Sequence, residues 1–470
     1  MLGLLVCSAS LAMPVAGSSA TGLRAGGPSA SSVVPGDDWL IETPESHGMD
    51  PAILDQARTY AFTPDRNTQG VVVVHGGAIV AEWYAPGADS DSWGASWSVG
   101  KSFASALIGI AISEGKIPSV DVPMTTYFPE WAGTPRQSIT LRHVLHMETG
   151  LDWLEDYDPS SFATSNIVAM VANQPDQLAY AASIAAAVAP GTWFNYSSGN
   201  SMLLSGVIEK ATGMSAGDYA RTKLLDPIGI HKLDWWKDAA GHTLTYCCVD
   251  TSSRNFARFG LLYLRGGTWG STQVVPSSWV NASITDSAAS YSGYGYQWWL
   301  DMSGYGSLPP FFSARGFDGQ FIYVIPSLDL VVVRNGTYVK SPCPPVADPD
   351  LFVYYPPAGL VPGQGTVGPS IWDDQDFLGP IVDSFTAAPL AVRGSGIASA
   401  NRRAGPAGDP SGLSASAAAA QATPPAPSPA TSPSSTTTSV PASAGSSTTA
   451  SSPGGSGAAS GVVAVPRFTG

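Results

Sequence analysis

A chain of 470 residues, 44% hydrophobic and only 12% charged, is long enough for one large core or two ordinary ones. Its net charge of −14, with no extended Lys/Arg cluster, argues against a nucleic-acid partner, whose phosphates reward clustered cations. Four cysteines (Cys7, Cys247, Cys248, Cys343) are too few for a disulfide scaffold and match no zinc spacing, and the six histidines include no His-Glu-x-x-His pattern, so neither metal nor cofactor is expected.

Residues 2–16 are apolar and lead into small residues at Ala16, Gly17, Ser18 and Ala20. The run is too short to span a bilayer and reads as a secretory leader, although no Lys or Arg precedes it. Export to the cell envelope or beyond is the expectation, without a stable membrane anchor. Residues 1–37 then comprise this leader and a loose Gly/Ser/Pro/Ala arm, and an ordered domain runs over 38–387. A short helix is predicted over 53–62. Residues 70–84 predict two strands about a Gly76-Gly77 turn, with His75 flanking the turn rather than ligating. An apolar run from Trp97 to Gly115 carries Phe103, Leu107 and Ile110 at helical spacing. A helix over 139–147 starts at Thr140 and stops at Gly150. Residues 151–192, a loop and Ala-rich stretches, read as an inserted helical subdomain. Further helices are predicted over 202–212, closed by Gly213, and 254–263, closed by Gly266-Gly267. Strands are predicted over 294–300, 319–326 and 330–335. A last helix over 376–385 requires Pro380 in its first turn. From about Ala388 the chain turns to Pro, Ser, Thr, Ala and Gly, which cannot bury enough surface to offset ordering entropy; residues 388–470 are expected to be a disordered tail.

Chemistry concentrates at Ser98 and Lys101. Three residues apart, they share one helix face, and a buried lysine whose pKa is lowered can take the proton of a serine hydroxyl. Ser113 and Lys116 repeat the spacing, but they straddle Gly115, where the helix should stop, so their side chains should diverge. Downstream stand Tyr196-x-Ser198 and a Gly-rich strand entry, Ala314-Arg315-Gly316-Phe317-Asp318-Gly319.

With these three patterns in order, the chain resembles the serine β-lactamase and penicillin-binding-protein superfamily, whose first motif is Ser-x-x-Lys. It is most similar to the class C branch with its esterase and 6-aminohexanoate-oligomer hydrolase relatives. Thr140-Leu141-Arg142-His143-Val144-Leu145, Met147-Glu148-Thr149-Gly150-Leu151, Pro190-Gly191-Thr192 and Ser253-Arg254-Asn255-Phe256-Ala257-Arg258-Phe259-Gly260 carry the likeness from about Trp39 to Phe385. The resemblance implies an α/β fold of the α+β type, the DD-peptidase/β-lactamase arrangement: a mainly antiparallel sheet flanked by helices, with a helical subdomain. It implies Ser98 as nucleophile, Lys101 beside it, and Tyr196 acting with the lysine as base and then as acid toward the leaving group. A tyrosine near an ammonium should have its pKa lowered. Ser198, where many relatives carry asparagine, is expected to offer its hydroxyl to the substrate. The oxyanion amides would be those of Ser98 and Phe317, beside Gly316. Tyr157, in the Glu155-Asp156-Tyr157 loop, matches a mobile substrate-capping tyrosine or is simple packing.

The third motif departs from Lys-Thr-Gly. Ala314 stands where a lysine would bind a substrate carboxylate, and Arg315 is either a substrate contact or turned to the opposite strand face. Trp298 and Trp299 alternate, one toward the pocket and one inside. Adjacent cysteines bridge only with strain, so Cys247 and Cys248 are expected as free buried thiols, with a link from one to Cys343 as the alternative. The resulting expectation is a serine hydrolase acting on a small ester or non-peptidoglycan amide. The rivals are a β-lactamase or DD-peptidase, and a catalytically idle module that binds cell-wall peptides.

Overall fold

Residues 33–157, 163–290, 293–301, 308–337 and 372–385 are described in the computed structural model; the predicted leader, Cys343 and the tail from 388 lie outside them. Helix α1 (Pro51–Ala61) begins where the Asp50 carboxylate accepts from the Ala52 and Ile53 amides. Strands β1 (Thr68–His75) and β2 (Ala78–Tyr84) meet at Gly76 and Gly77, both at positive φ, as a tight hairpin requires. There follow β3 (Trp93–Ala95), α2 (Gly100–Ser113), α3 (Leu141–Leu145), α4 (Asn166–Asn173), α5 (Gln177–Ser183), α6 (Ser198–Thr212) and α7 (Ala216–Ala220). Next come β4 (Asp234–Trp235), β5 (Val249–Ser252), α8 (Ser253–Leu264), β6 (Thr268–Trp269), β7 (Thr272–Gln273) and α9 (Ser277–Ser283). The chain then forms β8 (Trp299–Asp301), β9 (Phe311–Gly316), β10 (Gln320–Ile325), β11 (Leu330–Gly336) and α10 (Asp374–Asp383).

Among the described residues, six strands form one antiparallel sheet in the order β2-β1-β11-β10-β9-β8. The valine runs of β1 and β11 are explained by its two covered faces. Val72, Val74, Val331 and Val333 bury toward α8 and the helical region, whereas Val71, Val73 and Val332 bury against α1 and α10. Strands buried on both faces lose the usual polar alternation. Helix α2 is buried from Gly100 through Ala111, so it too is apolar nearly all round. Its Phe103 stacks on Phe259 of α8 at 3.7 Å between ring centroids. Its Gly109 is filled over by Trp279 of α9, which a Cβ there would approach to 2.2 Å. Between α2 and α6, α4 and α5 occupy the region expected to be a helical insertion.

Several boundaries differ from those expected. Helix α6 begins at Ser198, four residues early, because the Ser197 hydroxyl accepts from the Asn200 amide at 3.0 Å and caps it. Helix α3 covers only Leu141–Leu145, and Met147, at φ 61, ends the run. The stretch 294–300 is not one strand. Gln297 turns at φ 63 with its side-chain amide donating to the Leu145 carbonyl, leaving only Trp299–Asp301 to pair with β9. Helix α10 starts at Asp374, where Asp373 caps the Gln375 and Asp376 amides, so Pro380 lies in the helix interior rather than the first turn. The expectation of free thiols is also overturned: Cys247 and Cys248 are bonded to each other. Cys248 at φ 69 supplies the left-handed turn in which neighbouring sulfurs meet.

Candidate active site

Ser98 is held at the junction of sheet and helix. The Ser96 amide donates to the Val249 carbonyl at 3.0 Å and the Val249 amide to Ser96 Oγ at 2.7 Å, which ties the entry to β5. Trp97 then turns at φ 44, and Ser98 sits in a single 3-10 turn directly before α2. One turn on, Lys101 Nζ donates to Ser98 Oγ at 2.9 Å, to Ser198 Oγ at 3.0 Å and to the Tyr246 carbonyl at 3.0 Å. It lies over the Tyr196 and Tyr246 rings, 5.0 and 5.7 Å from their centroids. Lys101 is only 1% exposed, and burial pushes its amine down to about 8 while the Glu155 charge pulls the other way. The second Ser-x-x-Lys pair has none of this. Ser113 ends α2 with its hydroxyl on the Ile110 carbonyl, and Lys116 is exposed beyond Gly115 at φ 70.

The Tyr196 phenol lies next to Ser98, which favours its ionised form. Its pKa is raised, not lowered as the sequence suggested. Burial is the main cause and the Glu155 charge the second, with Ser98 opposing them. The reason is geometric: the Lys101 ammonium sits over the ring face instead of at the hydroxyl, so desolvation outweighs charge attraction. Trp299 stacks on Tyr196 at 5.4 Å, and Tyr294 meets it edge-on at 6.0 Å. Trp298 points inward, fully buried against Tyr263 and Phe312, so the alternation of the two tryptophans resolves as expected.

Strand β9 brings the third pattern alongside. A Cβ on Gly316 would lie 2.3 Å from the Ser96 carbonyl oxygen and 3.1 Å from the Ser98 nitrogen, so only glycine lets the two backbones run this close. Gly316→Ala is therefore expected to cost about 1–3 kcal/mol of stability and to slow Ser98 labelling by a fluorophosphonate. Urea melts and labelling rates check both, and an unchanged variant would mean the contact relaxes freely. Phe317 follows directly, its ring 6.1 Å from Trp97 and 5.2 Å from Tyr157. Arg315 points away from Ser98: its guanidinium binds Asp374 at 2.6 Å and Ser313 at 2.8 Å on the face covered by α10. Ala314 is buried on the other face.

Ser198 and Tyr157 reach the same centre through a residue the sequence reading passed over. Glu155 accepts from the Ser198 hydroxyl at 2.6 Å, the Ser198 amide at 2.8 Å, the Tyr157 hydroxyl at 2.7 Å and Trp153 Nε1 at 2.6 Å. The alternation Trp153-x-Glu155-x-Tyr157 was the available signal. Among the described residues no three His, Cys, Asp or Glu side chains come together as a metal site.

A sheet with helices on both faces and a Ser-x-x-Lys pair at the start of the buried helix defines the penicillin-binding-protein/β-lactamase class. The Beta-lactamase family model matches residues 58–342, and the chain belongs to that family, a family of hydrolases. The 6-aminohexanoate-dimer hydrolase of Paenarthrobacter ureafaciens is 28% identical over 296 residues, 58% of this chain and 73% of that protein. A solved structure from Bacteroides dorei, assigned as a beta-lactamase, shares the fold at TM-score 0.51 and 17% identity, over 61% of this chain and 91% of that one. Another from Bacillus anthracis, assigned as a 6-aminohexanoate-dimer hydrolase, is 25% identical at TM-score 0.49, over 58% and 74% of the respective chains.

Proposed function

We propose that the chain is a serine hydrolase that forms an acyl-enzyme on Ser98 with an ester or a non-peptidoglycan amide. The observation that carries this reading is the buried Lys101 amine, brought to about 8 and placed 2.9 Å from Ser98 Oγ. Near neutral pH a fraction of it is unprotonated and takes the Ser98 proton as Oγ bonds to the substrate carbonyl carbon. The carbonyl oxygen, now an anion, is received by the Ser98 and Phe317 amides. Tyr196, kept protonated by its raised pKa, donates to the leaving oxygen or nitrogen as that bond breaks. Water then attacks the acyl-enzyme by the reverse proton path and releases the acid. Tyr157 and Phe317 would border the bound acyl group.

The substrate class rests on what surrounds this centre. A β-lactam presents a carboxylate, and Ala314 with the turned-away Arg315 offers it no cation from the third motif. The name of the Paenarthrobacter relative, 6-aminohexanoate-dimer hydrolase, agrees with a non-peptidoglycan amide. A lost charge-assisted hydrogen bond is worth roughly 1.5–3 kcal/mol, or about ten- to a hundredfold in kcat/KM. A short-chain p-nitrophenyl ester is thus expected to be hydrolysed readily and a chromogenic cephalosporin weakly. Preference for the cephalosporin would make the β-lactamase reading the better one, and no turnover with no labelling would leave the idle peptide-binding module.

A further inference from the structure

We propose that Glu155 is a positioning residue of this site, fixing the Ser198 hydroxyl between itself and Lys101 so that the lysine lone pair is aimed at Ser98. The inference rests on the Ser98 acyl-enzyme reading and assigns the part played by a carboxylate that touches no reacting atom.

An ammonium has three N–H donors, and those of Lys101 are directed at Ser98 Oγ, Ser198 Oγ and the Tyr246 carbonyl. When Lys101 loses one proton, the two that remain must stay on Ser198 and Tyr246 if the lone pair is to face the Ser98 hydroxyl. The Tyr246 carbonyl can only accept. Ser198 can also donate, and a Ser198 proton turned toward Lys101 would capture the lone pair. Glu155 prevents this by taking the single Ser198 hydroxyl proton at 2.6 Å, which leaves only a Ser198 lone pair toward the amine. Its other oxygen accepts the Ser198 amide, the first N–H of the fifteen-residue α6, so the helix end holds the carboxylate in place. Trp153 and Tyr157 also donate to this carboxylate.

Glu155 also supplies the charge felt across the site. It faces Lys101 from α2, Tyr157 from its own loop, Tyr196 ahead of α6, Tyr246 ahead of β5, and Tyr294 ahead of β8. Asp238 also acts on Tyr246. Toward Lys101 the sign is clear. A nearby negative charge favours the ammonium and raises its pKa, so removing it lowers the pKa. Because the unprotonated amine is the active form, the acid limb of kcat/KM should then move to lower pH.

The test is steady-state hydrolysis of a p-nitrophenyl ester across pH by the full-length protein and its variants. Glu155→Gln, which keeps shape and removes charge, is expected to lower kcat roughly ten- to a hundredfold and to shift the acid limb down by about one pH unit, with KM little changed. Glu155→Asp should keep the limb where it is. Ser198→Ala should lower kcat by a comparable factor, and the double variant Glu155→Gln/Ser198→Ala should be no slower than Ser198→Ala alone. A Glu155→Gln enzyme with kcat within twofold of the parent and an unmoved limb overturns the proposal. If that variant does not fold, Ser198→Ala with kcat within twofold overturns it equally. Ser98→Ala run alongside separates the two readings. Turnover surviving there removes the acyl-enzyme reading, whereas turnover lost there with Glu155→Gln unaffected removes the role of Glu155 alone.

Discussion

Ser98→Ala is expected to abolish fluorophosphonate labelling and to lower ester kcat/KM on the order of 10⁴-fold or more, because among the described residues no other hydroxyl shares its position. Among the described residues, Ser98 alone combines the turn before α2, a 2.9 Å bond from Lys101 and proximity to Tyr196. Two other serines serve as controls. Ser113→Ala should label and turn over within twofold of the parent, since Ser113 only closes the last turn of α2 on the Ile110 carbonyl. Ser198, although bonded to Lys101, has its proton on Glu155 and should not become labelled in the Ser98→Ala protein. Labelling that persists after Ser98→Ala and disappears after Ser113→Ala would reverse the assignment of the nucleophile.

Lys101→Ala is expected to lower kcat/KM by about 10³-fold, the range of a lost general base. The loss should depend on pH in a way that a mere packing defect would not. In the parent, Lys101 is protonated well below about 8, and kcat/KM is expected to rise with pH as its amine is freed. In Lys101→Ala that limb should vanish, leaving the slower slope of hydroxide-dependent attack. The variant also strips the Ser198 hydroxyl and the Tyr246 carbonyl of a donor, so a thermal melt is needed beside the kinetics. A parent-like limb in this variant would mean that another group takes the Ser98 proton.

The partners of Lys101 lie far apart in sequence, and the fold explains how they meet. Tyr246 precedes the bonded Cys247-Cys248 pair, and Cys247 lies so close to α2 that a Cβ on Gly100 would be 2.9 Å from its carbonyl carbon. The carbonyl on which Lys101 rests is therefore anchored from both sides, by the turn through Cys248 and by the packing of Gly100. Neither the pairing of those cysteines nor this contact was visible in the chain. Adjacent residues bond or not according to a backbone turn that the rest of the structure imposes.

Local pattern was enough for much of the architecture. The α2 run with Gly115 as its stop, the Gly76-Gly77 hairpin, the valine strands and the Ser98–Lys101 pair all follow from periodicity, glycine conformation and one-turn spacing, which depend on neighbours a few residues away. The family likewise rests on short ordered motifs, and Ser-x-x-Lys led to it. What tertiary structure decided concerns atoms brought together from distant segments. Ser198 entered α6 and turned its hydroxyl to Glu155, Arg315 turned to Asp374, and Tyr196 was left above its usual pKa because the ammonium met its ring face and not its oxygen. Spacing along the chain tells which residues can share a helix face. The direction of a hydrogen bond and the burial of a charge are set only when separate elements close around them.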